Sequence, residues 1–175
     1  AGVAAGDRVG TVCWNDHWHL ETYFGVPNRG SQLHTINPML PEHHIQYIVE
    51  NAEDRLLFVN PSLLEAVEAA YDADRFESVE RFVVMGDAVP DTELPDVVDY
   101  ESFVAGHPTE YDWPAVSEER PAGMCYTSGT TGRPKGVEYT QQMLWSHTMA
   151  TLVPQGIPVA DDDVVMPFVP MFHVN

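Results

Sequence analysis

The chain has 175 residues, enough for one ordinary α/β domain, and its 44% apolar content is enough to fill a core. Its 27 acidic against 8 basic residues give a formal net charge of −19, which repels nucleic acid and anionic membrane surfaces, so neither is expected as a partner. No run of eighteen apolar residues and no charged-then-apolar leader occurs, so no transmembrane segment or signal segment is expected.

Gly6-Asp7 reads as a turn into a strand over 8–14 (RVGTVCW). Asn15 can cap a helix to about residue 25, with Trp18, Tyr23 and Phe24 among its apolar positions. A second strand covers 31–36 and breaks at Asn37-Pro38. Pro41 then opens a helix, and Ile45, Ile48, Val49 and Ala52 fall at i, i+3, i+4, i+7. A third strand covers 55–60. Pro61-Ser62 starts a helix to about 71 with Leu63, Leu64 and Val67 inward, and a fourth strand covers 79–85.

Residues 86–121 are rich in proline and acid with little periodicity. They read as an ordered surface excursion containing a short helix at 100–105. The core pattern resumes with a strand at 122–126, a further strand at 137–140, a helix at 141–152 and a last strand at 164–168. Strands alternating with helices predict an α/β fold, a mainly parallel βαβ sheet with flanking helices. One domain is expected over 1–175: a first βαβ region to 85, the excursion to 121, and the remainder. The chain begins at Ala1 inside an apparent βα unit and stops at Asn175 after an apolar strand, so both ends read as cut from a longer protein.

The stretch Tyr126-Thr127-Ser128-Gly129-Thr130-Thr131-Gly132-Arg133-Pro134-Lys135-Gly136 carries the chemistry. Glycines let backbone approach a ligand, and successive free N–H groups make an anion-binding concavity. The hydroxyls of Thr127, Ser128, Thr130 and Thr131 add donors, and Lys135 adds a point charge for phosphate. Lys135 is the single lysine among the eight basic residues. The loop is not a Walker A loop: counting from Gly129, Pro134 stands at the second glycine position and Gly136 follows Lys135 in place of Ser or Thr. No G-x-G-x-x-G occurs, which removes a Rossmann reading.

Residues 126–137 resemble the phosphate-loop signature of the adenylate-forming superfamily of acyl-CoA synthetases, luciferases and peptide-synthetase adenylation domains. Leu33-His34-Thr35-Ile36-Asn37-Pro38, the stretch Tyr47 to Arg55, and Val169-Pro170-Met171-Phe172-His173-Val174-Asn175 are similar to its medium- and long-chain fatty acyl-CoA synthetase branch. The resemblance implies the large N-terminal AMP-binding domain of a two-step ligase. Such an enzyme joins a fatty acid or other carboxylate to ATP, giving acyl-AMP and pyrophosphate, and then transfers the acyl group to coenzyme A. It implies that Thr127, Ser128, Gly129, Thr130, Thr131, Gly132 and Lys135 hold the β- and γ-phosphates and that Thr127 helps position Mg²⁺. It implies that His173 lies at the site of carboxylate attack and that Val174 lines the nucleotide pocket. The family's adenine motif, metal-binding glutamate, ribose-binding aspartate and adenylating lysine would lie beyond Asn175, so residues 1–175 alone are expected to be inactive.

The chain departs from many relatives in carrying Glu138 at a commonly apolar position and Gln141-Gln142 after Thr140, where a histidine is common. An aryl-CoA ligase, a luciferase-like enzyme and a non-catalytic nucleotide-binding remnant are the alternatives. The stretch 33–59 argues against peptide-synthetase domains. A homodimer is expected by resemblance only.

Acids dispersed along the chain, with lysine scarce, predict adaptation to high salt, where self-repulsion is screened; the run Asp161-Asp162-Asp163 reads as a solvated turn. Cys13 and Cys125 sit in apolar runs and read as reduced core thiols of a cytoplasmic protein. His17, His19, His43 and His44 lack a third ligand at metal spacing and read as surface residues.

Overall fold

The computed structural model describes residues 2–127, 133–153 and 155–173. The strands are β1 (Arg8–Val12), β2 (Gln32–Thr35), β3 (Asp54–Val59), β4 (Arg81–Val84), β5 (Val97–Asp99), β6 (Pro121–Thr127) and β7 (Lys135–Thr140). The helices are α1 (His17–Asn28), α2 (Glu42–Ala52), α3 (Leu64–Ala70), α4 (Tyr100–Val104) and α5 (Gln141–Thr151), with a 3₁₀ turn Pro61–Leu63 before α3. They form one seven-stranded sheet in the order β5-β4-β3-β1-β2-β6-β7. Every pair is parallel except the β6–β7 hairpin. The mainly parallel α/β fold is therefore as expected.

Side chains alternate across each strand, so an apolar run buries both faces of a central strand. In β3, Leu57 and Val59 join the core that α2 and α3 cover, with Ile45, Ile48, Val49, Leu64 and Val67. Leu56 and Phe58 face the opposite way, into a core with Val9, Val83 and Tyr100, packed by Trp18 and Val26 of α1 and Phe103 of α4. The four expected inward positions of α2 are its four buried residues. Both cysteines are buried and free.

Three expectations fail in instructive ways. The excursion contributes a strand, β5, which extends the sheet beyond β4 and anchors α4 through the Asp99 cap on Ser102 N. Three residues are too short to show a period in sequence. The expected strand at 164–168 does not form: Val164 is 98% exposed and Phe168 88% exposed. A strand is stable only with a neighbour, and among the described residues none pairs with this stretch. Asn15 does not cap α1. Asp16 does, accepting from His19 N at 2.7 Å, and also accepts from Asn60 Nδ2 at 2.9 Å.

Candidate functional site

The chain passes from β1 to β2 on one side and then to β3 on the other side of β1. In parallel sheets, ligands gather beyond the carboxyl ends of strands at such a reversal. Here the carboxyl ends of β1, β2 and β6 are neighbours, and each delivers a part of the candidate site.

From β6 and β7 comes the loop's root. Their antiparallel register sets Thr127 opposite Lys135 and Tyr126 opposite Gly136. A hydroxyl and the only lysine of the 175 residues thus stand across from each other, both exposed. Gly136 has a local reason to lack a side chain: a Cβ there would stand 3.2 Å from Tyr126 Cζ and 3.3 Å from Met124 Sδ. Ser128, Gly129, Thr130, Thr131, Gly132 and Val174 lie outside the described residues.

From β1 comes a holder for the C-terminal segment. Asn15 Nδ2 donates to Pro167 O at 3.0 Å and Val169 O at 2.9 Å, while its Oδ1 accepts from Met171 N at 2.7 Å. The Tyr23 hydroxyl donates to Met171 O. Trp14 meets Phe172 edge-on at 5.8 Å, and Phe172 is buried. His173, which follows, is exposed in a turn closed by its N–H to Pro170 O at 3.0 Å, not at the end of a strand.

From β2 come Asn37 and Leu40. They line a cavity of about 240 Å³ together with Thr127, Pro134, Phe172 and His173. Two residues expected in the site, Thr127 and His173, are 46 positions apart in the chain yet share this cavity (173 − 127). Lys135 is not among its lining residues and joins the site through its register with Thr127.

Tyr126, which precedes Thr127, is fixed on two sides. Its hydroxyl donates to Asn51 Oδ1 at 2.8 Å, and its ring lies 5.2 Å from that of His34. Burial, reinforced by the charge of Asp54, pushes its phenol up to about 12, so it remains a neutral donor. His34 in turn holds Asp54, with Nδ1 at 2.8 Å from Oδ2 and both side chains fully buried. Nδ1 lies within hydrogen-bond distance of both Asp54 carboxyl oxygens, at 3.0 and 2.8 Å. Gly10 makes room: a Cβ there would stand 3.1 Å from Asp54 Oδ2 and 2.6 Å from Leu57 Cδ1. The pair escaped sequence reasoning because its members are 20 residues apart on separate strands. The available signal was polar residues at inward positions of apolar strands.

Beyond Pro134 lies a larger cavity of about 800 Å³, whose lining includes His43, His44, Tyr47, Asn51, Arg75 and Arg133. The Arg133 guanidinium stands 5.4 Å from the centre of the Tyr47 ring. His17 and His43 are exposed and His44 is half-buried. His19 corrects the surface expectation: it is fully buried, with Nδ1 3.0 Å from Trp14 O and Nε2 3.1 Å from Thr11 Oγ1. Burial holds its pKa below the usual 6.5. The departures at 138 and 141 also have local explanations. Glu138 accepts from the buried Gln32 at 3.1 Å, and Gln141 Nε2 donates to Pro27 O at 3.0 Å.

No group of three or more His, Cys, Asp or Glu assembles among the described residues. Thr127 offers one neutral oxygen. That fits a magnesium ion that arrives on phosphate oxygens and keeps its waters, rather than one caged by protein carboxylates.

The model of the family described as AMP-binding enzyme matches residues 1–175. The chain is 44% identical over 174 residues to a long-chain-fatty-acid–CoA ligase of Thermus thermophilus, covering 99% of this chain and 30% of that protein. It is 42% identical over 177 residues to the 3-methylmercaptopropionyl-CoA ligase of Ruegeria pomeroyi, covering 100% and 32%. The crystal structure of a long-chain-fatty-acid-CoA ligase from Archaeoglobus fulgidus superposes with a TM-score of 0.77 at 26% identity, covering 98% of this chain and 32% of that one. The chain thus spans about a third of the length of the curated relatives it matches. With a match over its whole length, the chain belongs to the AMP-binding enzyme family.

Proposed function

We propose that a full-length protein carrying this chain is an AMP-forming acid–thiol ligase. A carboxylate oxygen attacks the α-phosphorus of ATP, the bond to the bridging oxygen breaks, and pyrophosphate leaves. The coenzyme A thiol then loses its proton to solvent, its sulfur attacks the acyl carbon, and AMP departs with the C–O bond electrons. The observation that carries this reading is the loop's root: Thr127 faces Lys135 across the hairpin, at the carboxyl end of a strand next to the sheet's reversal point.

The loop's backbone N–H groups, its hydroxyls and Lys135 neutralise and orient the β- and γ-phosphates, so that pyrophosphate leaves in line. Ser128, Gly129, Thr130, Thr131 and Gly132 act here, and Thr127 would help hold Mg²⁺, which would supply further positive charge to the phosphates. His173, sharing the cavity with Thr127, contacts the incoming carboxylate. Val174 lines the nucleotide pocket.

The acid is a medium- or long-chain fatty acid, which the Thermus relative's name supports. A second reading, a short thioether acid, is favoured by the Ruegeria relative at nearly equal identity. We place the protein in the cytoplasm, as two buried free thiols favour a reducing compartment.

The test is to supply the purified full-length protein with ATP, Mg²⁺, coenzyme A and single acids: octanoate, palmitate, 3-methylmercaptopropionate and benzoate. Loss of free thiol with one AMP per thioester, fastest with a fatty acid, is expected. Formation of ADP instead of AMP contradicts the reading. A clear preference for the thioether acid selects the second one.

A further inference from the structure

Both shoulders of the phosphate loop are tied to one helix. On the incoming side, the Tyr126 hydroxyl donates to Asn51 Oδ1 at 2.8 Å. On the outgoing side, the Arg133 guanidinium sits 5.4 Å from the centre of the Tyr47 ring. Tyr47 and Asn51 are both on α2, four residues apart, and so lie one above the other on one face. The same helix is fixed from behind, since Ile45, Ile48, Val49 and Ala52 are buried in the core. Among the described residues Arg133 takes part in no ion pair, although 27 acids are available in the chain, and its recorded contact is the aromatic face.

We infer that α2 is a brace for the phosphate loop, with Asn51 and Tyr47 as positioning residues that hold its two ends at a set spacing. Asn51 acts through Tyr126 on Thr127, the next residue. Tyr47 acts through Arg133 on Lys135, two residues on. The inner side of the brace is completed by the His34–Asp54 pair, against which the Tyr126 ring lies. A loop whose ends are held before a ligand arrives loses less conformational freedom on binding it. This assigns work to Arg133, which contacts no phosphate in the scheme above. The consequence for phosphate binding rests on the function proposed above; the brace itself does not.

The sequence supplies a probe. Lys135 is the only lysine in the 175 residues, so in the full-length protein a lysine-specific endoprotease cuts within this stretch only after Lys135, at the root of the hairpin, and mass spectrometry follows the peptide that ends there. Cutting a strand requires local opening, so its rate reports how firmly the root is held. Relative to wild type, Asn51→Ala, Tyr126→Phe and Tyr47→Leu are expected to speed the cut after Lys135 by about threefold to tenfold, with unchanged melting midpoints. Tyr47→Phe keeps the ring and is expected to cut at the wild-type rate. Tyr126→Phe removes one hydroxyl and keeps the ring, which preserves the test if Asn51→Ala fails to fold. Equal rates in all variants, or a Tyr47→Phe rate as high as that of Tyr47→Leu, would overturn the inference. The cut needs no nucleotide. Faster cutting in a full-length protein that shows no carboxylate-dependent ATP chemistry therefore supports the brace and counts against the ligase reading alone.

Discussion

His19 shows how one buried residue ties stability to pH. Its imidazole is enclosed between Thr11 and the Trp14 carbonyl, and burial lowers its folded pKa below 6.5. The unfolded chain therefore binds a proton at a pH where the folded chain does not. Stability is complete above about 6.5 and falls as pH drops below that value towards the folded pKa. His19→Gln, which can keep one hydrogen bond but cannot titrate, should flatten the dependence of unfolding free energy on pH between 7.5 and 5. Urea unfolding of both proteins across that range is the check, and parallel curves would show that His19 does not titrate in this way. The residue also marks a limit of sequence reading. His19 follows an exposed His17 and sits in a helix of weak periodicity, so nothing local indicates burial. Its environment is made by Thr11, eight residues earlier on β1. The His34–Asp54 pair was hidden for the same reason.

At the scale of elements, legibility follows the strength of the pattern. Helix α2 was readable because four apolar residues recur at helical spacing, and those four are its buried face. If that face seats the loop's brace, Ile48→Ala should cost about 2–5 kcal/mol, the usual range for emptying a buried aliphatic site. Chemical denaturation measures this directly, and a loss below about 0.5 kcal/mol, typical of surface changes, would place Ile48 outside the core. Short or unpartnered elements were not readable. Val97–Asp99 is a strand because β4 lies beside it, and 164–168 is not, although its Val-Val-Met-Pro-Phe composition invites one. The site was legible to the degree that it is local. The loop, Lys135 and Thr127 lie in one stretch, whereas the contribution of Asn15, which holds residues 167–171, required the fold.

The whole molecule carries −19 formal charges on 175 residues, and the recorded Lys/Arg ion pairs join Arg8, Arg55 and Arg75 to acids. Self-repulsion of this size is screened over about 10 Å at 0.1 M salt and about 3 Å at 1 M. We therefore expect the melting midpoint to rise between 0.1 and 1 M KCl, as the proposed adaptation to high salt requires. A flat or falling midpoint in a thermal scan would argue against it. The same acidity gives Lys135 its weight. On the proposed function, a triphosphate would be held in a chain that repels anions overall only where cationic and N–H groups converge, and the single lysine stands next to the loop. The most direct measurement is carboxylate-dependent ATP–pyrophosphate exchange by the full-length protein and its Lys135→Ala variant. The account predicts exchange in the wild type and a loss of about tenfold to a hundredfold in kcat/KM for ATP in the variant, the scale of a lost charged hydrogen bond. Undiminished exchange in Lys135→Ala would contradict it.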